Sequence, residues 1–348
     1  MKEIDLGIVY HPDFLLHTNK HHPECKERLE AIMDRLKKEK VLSRLKELRP
    51  KGEATLEAIA QVHEEGYIQQ VREACSSGVG RLDMDTYLTP NSFDIARLAV
   101  QGGLDAVKAV KSGELKRVFA FLRPPGHHAE TNRGMGFCLF NNIAVAARFL
   151  QKEYGLERIL VVDFDVHHGN GTQQAFEKEP GVLFFSVHQS PAYPGTGGIN
   201  EIGKEEGVGF NINAPLPPGS GDEDYEKLFL EVLLPVAEAY KPQFLLVSAG
   251  QDAYAGDPLA SMQVSLQGYG RIAELLMELA AKHTDGKAVF FLEGGYNLNG
   301  QAGAVFNMLN VMGNWNMPFL GNGEGGKGPS AVSRITEIME VQKNFWPL

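Results

Sequence analysis

Short apolar runs rich in Val, Ile, Leu and Phe recur along the chain, at Leu6 to Tyr10, Arg117 to Leu122, Ile159 to Phe164, Val182 to Val187, Phe244 to Val247 and Val289 to Leu292. Continuous apolar runs of this length suit strands covered on both faces. Longer segments with helical spacing lie between them, among them Cys25 to Lys38, Phe93 to Lys111, Phe140 to Tyr154, Asp222 to Tyr240 and Leu266 to His283. The alternation predicts an α/β protein with a largely parallel sheet between layers of helices. Residues 1–320 are expected to form one domain, since α/β chains of this length often build around a single sheet. Residues 321–348 are expected to supply a Gly-rich linker, Gly321 to Gly328, and a final helix from Ala331 to about Asn344.

The central runs end abruptly in clusters of His, Asp, Gly and Pro: RPPGHHAE, DFDVHHGNG, SVHQ, SAGQDA and LEGGYN. Open parallel sheets bind their ligands in the crevice outside the carboxyl ends of the strands, so clusters distant in sequence are placed to converge on one pocket.

In Asp163-Phe164-Asp165-Val166-His167 polar and apolar residues alternate, which along a strand directs the polar side chains to one face. Buried charges of this kind need compensation, by a metal ion or by a hydrogen-bonded carboxylate network. Asp252 follows the small-residue turn Ser248-Ala249-Gly250; taken alone it reads more readily as a helix N-cap. Joined to Asp165 and His167, it completes an open metal site with a position left for water. Two carboxylates offset most of the charge of a divalent ion, so a separate general base becomes desirable. His127 and His128, presented by the Pro124-Pro125-Gly126 turn, offer one, although neighbouring histidines are commonly a surface feature. Asp163 and Asn170 are available to orient the two imidazoles. Tyr296, after Gly294-Gly295, offers a phenol to a developing oxyanion; a packing tyrosine beside a turn is the other reading.

Composition narrows the field. Hydrophobic residues make up 43% and charged residues 22%, the balance of a globular chain. A net charge of -10 without a Lys/Arg stripe argues against a nucleic-acid binder and is compatible with cationic substrates. Cys25, Cys75 and Cys138 are widely spaced, which suggests neither a disulfide framework nor a thiolate zinc site. With no apolar stretch suited to a signal peptide or a bilayer span, the expected setting is the reducing cytoplasm, with no membrane partner.

Together, RPPGHH, GFCLFNN, DFDVHHGNGTQ, AGQDAYAGDP and LEGGYN resemble the histone deacetylase family, including its bacterial members and the acetylpolyamine amidohydrolases, over about residues 5 to 315. HHGNGTQQAF and LEGGYN look closest to the class II branch. The resemblance implies an arginase-deacetylase three-layer α/β/α sandwich with a central mostly parallel sheet. It implies one catalytic Zn2+ on Asp165, His167 and Asp252, a position whose hard oxygen ligands also accept Fe2+. It further implies His128 as principal base and acid, His127 held by Asp163 as an electrostatic aid, and Tyr296 as transition-state donor. Asn170 stands where class I members carry Asp, the class II pattern. Gly136, Phe137, Tyr193 and Leu259 are implied to line a narrow tunnel for the acyl-lysine stem. A structural K+ is implied behind the zinc, through Asp163, Asp165, His167 and the backbone near Ser186.

The activity so implied is removal of acetyl or other short acyl groups from lysine side chains of peptides or proteins. Acetylated polyamines are the alternative substrates; Leu259 is aliphatic where an acidic gatekeeper marks one polyamine-selective branch, which tilts the reading towards acyl-lysine. Retention of Tyr296 speaks against a mere acyl-lysine binder, and the lack of extra bridging carboxylates against a binuclear manganese ureohydrolase. A homo-oligomer is compatible with the sequence.

Overall fold

All six predicted apolar runs are strands of one eight-stranded parallel sheet: β1 (Leu6–Val9), β2 (Lys46–Leu48), β3 (Arg117–Ala120), β4 (Ile159–Asp163), β5 (Val182–Gln189), β6 (Asn211–Leu216), β7 (Phe244–Ala249) and β8 (Ala288–Leu292). The computed structural model describes residues 4–321 and 330–348. Strand order is β2-β1-β3-β8-β7-β4-β5-β6, with every pairing parallel rather than most of them.

The two strands that the apolar pattern did not predict are the edges. β2 is the short polar sequence Lys-Glu-Leu, and β6 alternates Asn with apolar residues and contains Pro215. Both choices suit an edge, where one side of the ladder has no partner strand and proline is tolerated. The interior strands β4, β7 and β8 are buried at every position, as an apolar run without alternation requires.

Helices cover the sheet in a three-layer α/β/α arrangement. Glu27–Lys38 and Leu266–His283 both pack against Leu298–Met312, while Ser92–Lys111 packs on Asn142–Tyr154 and on β3. The segment predicted as one helix from Asp222 to Tyr240 is helical throughout, but a π turn at Phe229–Leu233 separates its two α-helical parts. Pro235 cannot donate to a carbonyl four residues back, and the wider turn just before it accommodates that loss. The final helix, Val332–Gln342, packs beside β6, and the indole N–H of Trp346 donates to the carbonyl of Gly209 at 2.8 Å. That packing covers an edge strand. The expected linker lies, after Gly321, outside the described residues. Among the described residues no helix is long and apolar enough to cross a membrane.

Strand register sets up the site. Asp163 pairs with Ser248, Ser248 with Phe291 and Phe291 with Ala120, so the carboxyl ends of β4, β7, β8 and β3 lie level, side by side. The polar clusters that follow these four strands therefore open into one crevice.

Candidate active site

β4 is buried along its length and ends at Asp163. The chain then turns: the N–H of Asp165 donates to Oδ1 of Asp163 at 3.1 Å, and the N–H of His167 to Oδ1 of Asp165 at 2.9 Å. Alternation along a strand is thus not what aligns Asp165 with His167. Aspartates that bond the backbone two residues on replace the sheet ladder with successive turns.

Asp165 and His167 meet Asp252, beyond β7, with one ligand atom of each within 4.8 Å of the others. Nδ1 of His167 lies 3.2 Å from Oδ1 of Asp165 and 3.2 Å from Oδ2 of Asp252. Oδ2 of Asp252 is a buried oxygen without a hydrogen-bond partner. Oδ1 of Asp252 accepts from the N–H of Val166 at 2.9 Å, and no helix follows Asp252, which removes the capping reading. Burial and the charge of Asp165 push the Asp252 acid up to about 7, the response of an anion short of positive charge. Two buried carboxylates, one imidazole nitrogen and an orphaned oxygen fit a divalent cation.

Two glycines make the wall that admits these groups. A Cβ on Gly250 would stand 2.1 Å from Oδ2 of Asp165, and one on Gly294 2.1 Å from Oδ2 of Asp252. The N–H of Gly294 also donates to Oδ2 of Asp165 at 2.7 Å.

The loop after β3 brings in both predicted imidazoles. Nδ1 of His127 bonds Oδ2 of Asp163 at 3.0 Å, and Nδ1 of His128 bonds Oδ1 of Asn170 at 2.8 Å. Burial opposes a charge on His127, but Asp165 and Asp163 outweigh it and raise the imidazole to about 10. His128 moves the other way, lowered well below its ordinary value by burial and by the His127 and His167 imidazoles. Two adjacent histidines are thereby pushed towards opposite protonation states, the pattern of a site that separates an electrostatic role from a proton-transfer role.

Three of the residues predicted for the tunnel, Gly136, Phe137 and Tyr193, stand beside His128 or Tyr296. A Cβ on Gly136 would meet Cδ2 of His128 at 2.4 Å and Cε1 of Tyr193 at 2.9 Å. Tyr193 stands edge-on to His128, with ring centroids 5.1 Å apart, and Phe137 edge-on to Tyr296 at 5.7 Å. Phe137 has a φ of 69°, unfavourable for an aromatic residue, and is held there by its N–H donating to Oγ1 of Thr86 at 3.1 Å. Leu259 and Tyr193 are exposed. Asp257 accepts the N–H of Leu259 on Oδ1 at 3.0 Å and that of Tyr296 on Oδ2 at 2.7 Å.

The histone deacetylase domain profile matches residues 22–312. This chain belongs to the histone deacetylase family. It is 43% identical over 297 residues to a probable deacetylase of Archaeoglobus fulgidus, covering 84% of this chain and 82% of that protein. It is 41% identical over 325 residues to the chloroplastic histone deacetylase 14 of Arabidopsis thaliana (88% and 77% covered). It is 38% identical over 276 residues to a histone deacetylase-like amidohydrolase of Pseudomonas aeruginosa (79% and 72% covered). The crystal structure of the HDA15 HD domain superposes with a TM-score of 0.90 at 34% identity, covering 99% of this chain and 95% of that one. Among histone deacetylase family members the shared chemistry is that of a deacetylase or amidohydrolase, a hydrolase acting on acetylated substrates, and the fold is the arginase-deacetylase fold.

Several residues that hold this deacetylase-family site together were not singled out in the sequence: Glu130 and Glu293 stood inside quoted motifs, and Arg28 inside a predicted helix. Glu293, at the end of β8, accepts the N–H groups of Gly126 and His127 on Oε2 at 2.7 and 3.2 Å. Arg28, fully buried, donates from Nε to the carbonyl of Gly295 at 2.7 Å and stands 5.0 Å over the Tyr296 ring. Glu130 accepts from Nδ2 of Asn170 at 2.7 Å. For Glu293 the available signal was a charged residue directly following an apolar run, since a buried charge needs partners.

Proposed function

We propose that this family member is a zinc-dependent deacylase that hydrolyses acetyl or other short acyl amides of lysine side chains in peptides or proteins. The observation that carries the reading is the convergence of Asp165, His167 and Asp252 within 4.8 Å, beside an imidazole, His128, that is bonded through Nδ1 to Asn170. When bound there, zinc supplies a Lewis acid that polarises the amide carbonyl and acidifies water.

The remaining work belongs to the chain's own groups. With Nδ1 of His128 engaged by Asn170, Nε2 is the free nitrogen that takes the proton of the attacking water. Burial holds the Tyr296 phenol well above its ordinary pKa, so it keeps its proton and donates a hydrogen bond to the developing oxyanion. His128 then returns the proton to the departing amine as the C–N bond breaks, giving the free amine and the carboxylate. His127, paired with Asp163, keeps positive charge beside the reacting centre. Phe137 and Tyr193 flank the acyl-lysine stem, and Gly136 keeps the passage open beside His128.

The test is acetate release from an acetyl-lysine peptide by the zinc-loaded protein and by protein stripped with a chelator, alongside acetylated polyamines. Zinc-dependent release from the peptide supports the reading. Release from polyamines alone, or none from either, overturns the lysine assignment.

A further inference from the structure

The bond between His128 and Asn170 leaves a question of chemistry that an aspartate in that place would not raise. A carboxylate can only accept, so it forces the proton onto the nitrogen it faces; a carboxamide accepts at one end and donates at the other. If Nδ2 faced Nδ1 of His128, the imidazole proton would sit on Nε2, and the nitrogen turned towards the reaction could no longer act as a base.

The neighbours of Asn170 decide the orientation. Its Nδ2 lies 2.7 Å from Oε1 of Glu130, 3.4 Å from Sδ of Met135 and 3.4 Å from the carbonyl of His128, all of them acceptors. Reversing the amide would set its oxygen against the Glu130 carboxylate, exchanging a charge-assisted hydrogen bond for repulsion. Oδ1 is therefore held towards His128, 2.8 Å away, and can only accept, so the proton stands on Nδ1.

Glu130 is itself fixed. Its carbonyl accepts from Nδ1 of His63 at 2.9 Å, and the N–H of Asn141 donates to Nε2 of His63 at 2.9 Å, which places the His63 proton on Nδ1. Its N–H donates to the carbonyl of Arg133 at 2.9 Å, and Oε2 accepts from Nη2 of Arg133 at 3.0 Å. The Glu130 side chain is 18% exposed and that of Arg133 59%, so water screens this ion pair and it contributes little to stability.

Building on the reading of His128 as the base, we propose that Glu130 is a positioning residue of the reaction, selecting through Asn170 the His128 tautomer whose Nε2 is free to accept a proton. The negative charge that another arrangement would place directly on the imidazole stands one residue further out, passed on by a polarised amide.

Three measurements on the zinc-loaded protein test this. Glu130→Gln removes the charge and offers Asn170 a group that accepts or donates equally well; kcat is expected to fall about tenfold, with KM and zinc content unchanged. Nitrogen-15 spectra of histidine-labelled protein are expected to show the His128 proton on Nδ1 in the wild type and shifted towards Nε2 in Glu130→Gln. Asn170→Asp alone is expected to lose activity, because two carboxylates then face each other, whereas Asn170→Asp combined with Glu130→Gln should exceed Glu130→Gln alone. A purely structural Glu130 would give no such recovery. Wild-type kcat and an unchanged tautomer in Glu130→Gln would overturn the proposal. An inactive wild type would count against the deacylase reading instead, and the tautomer spectra would still decide the role of Glu130.

Discussion

The carboxylate of Glu293 accepts the backbone N–H of Gly126 at 2.7 Å, tying the end of β8 to the loop that follows β3. The same oxygen accepts the N–H of His127, and Oε1 accepts from the Ser248 hydroxyl at 3.3 Å, so one buried side chain joins three strand ends. Glu293→Ala would leave two buried N–H groups without an acceptor, each costing about 1–3 kcal/mol. Urea unfolding is expected to show that loss. Glu293→Gln retains an acceptor at this position and should lose much less. Equal stability of the wild type and the alanine variant would mean that the contact does not matter.

Gly294 tests the fit of the metal site from the side of the wall. An alanine there places a methyl group 2.1 Å from Oδ2 of Asp252 and 2.6 Å from Oδ2 of Asp165, so both carboxylates must move. Disturbing the groups that support a metal ligand typically weakens affinity by about 10–100-fold, and Gly294→Ala is expected to fall in that range or beyond it. Competition for zinc against a fluorescent chelator measures it, and wild-type affinity would show that the carboxylates do not hold the ion.

The interior of this fold was legible in the sequence because a strand buried on both faces, such as Ile159–Asp163, has little choice but an apolar run. β6 was not, since Asn211 and Asn213 bury polar side chains that bond Gln173, a partner far away in the chain. The same division runs through the site. Asp163 and Asn170 could be named as partners for the histidines from their residue types. Glu130 and Glu293 could not be assigned partners, because what they bond is the amide of Asn170 in one case and backbone N–H groups across the sheet in the other. The turn at Asp165 was also hidden, because alternation looks the same whether a strand continues or gives way to side-chain-bonded turns.

Glu24 gives the fold a dependence on acid. It is fully buried between Arg123 and Arg28, with Oε2 accepting from Nη2 of Arg123 at 2.7 Å and Oε1 from Nη1 of Arg28 at 3.3 Å. Burial alone would raise its pKa, but the guanidinium groups outweigh it and hold the acid at about 2, against an ordinary 4.5. A depressed carboxylate contributes stability that is complete above its unfolded pKa and is lost as pH falls through the folded one. The contribution is therefore present above pH 4.5 and disappears towards pH 2. Glu24→Gln is expected to cost about 3–5 kcal/mol at neutral pH, because it strands two buried cations, and to flatten the pH dependence over that window. Unfolding free energies measured along a pH series check both, and parallel curves for the two proteins would contradict the assignment.

Tyr296 carries the sharpest prediction about chemistry. Its backbone N–H is fixed by Asp257 at 2.7 Å, its ring lies beneath Arg28 and edge-on to Phe137, and none of these contacts involves the hydroxyl. Tyr296→Phe therefore removes a donor while leaving the ring and its loop in place. Loss of one oxyanion donor costs about 10²–10³ in kcat, and that is the drop expected here, with zinc content and unfolding free energy unchanged. The effect should fall on kcat more than on KM, because the hydrogen bond strengthens as charge develops on the carbonyl oxygen. A variant that kept wild-type kcat would remove Tyr296 from the reaction and leave polarisation of the carbonyl to the metal site alone.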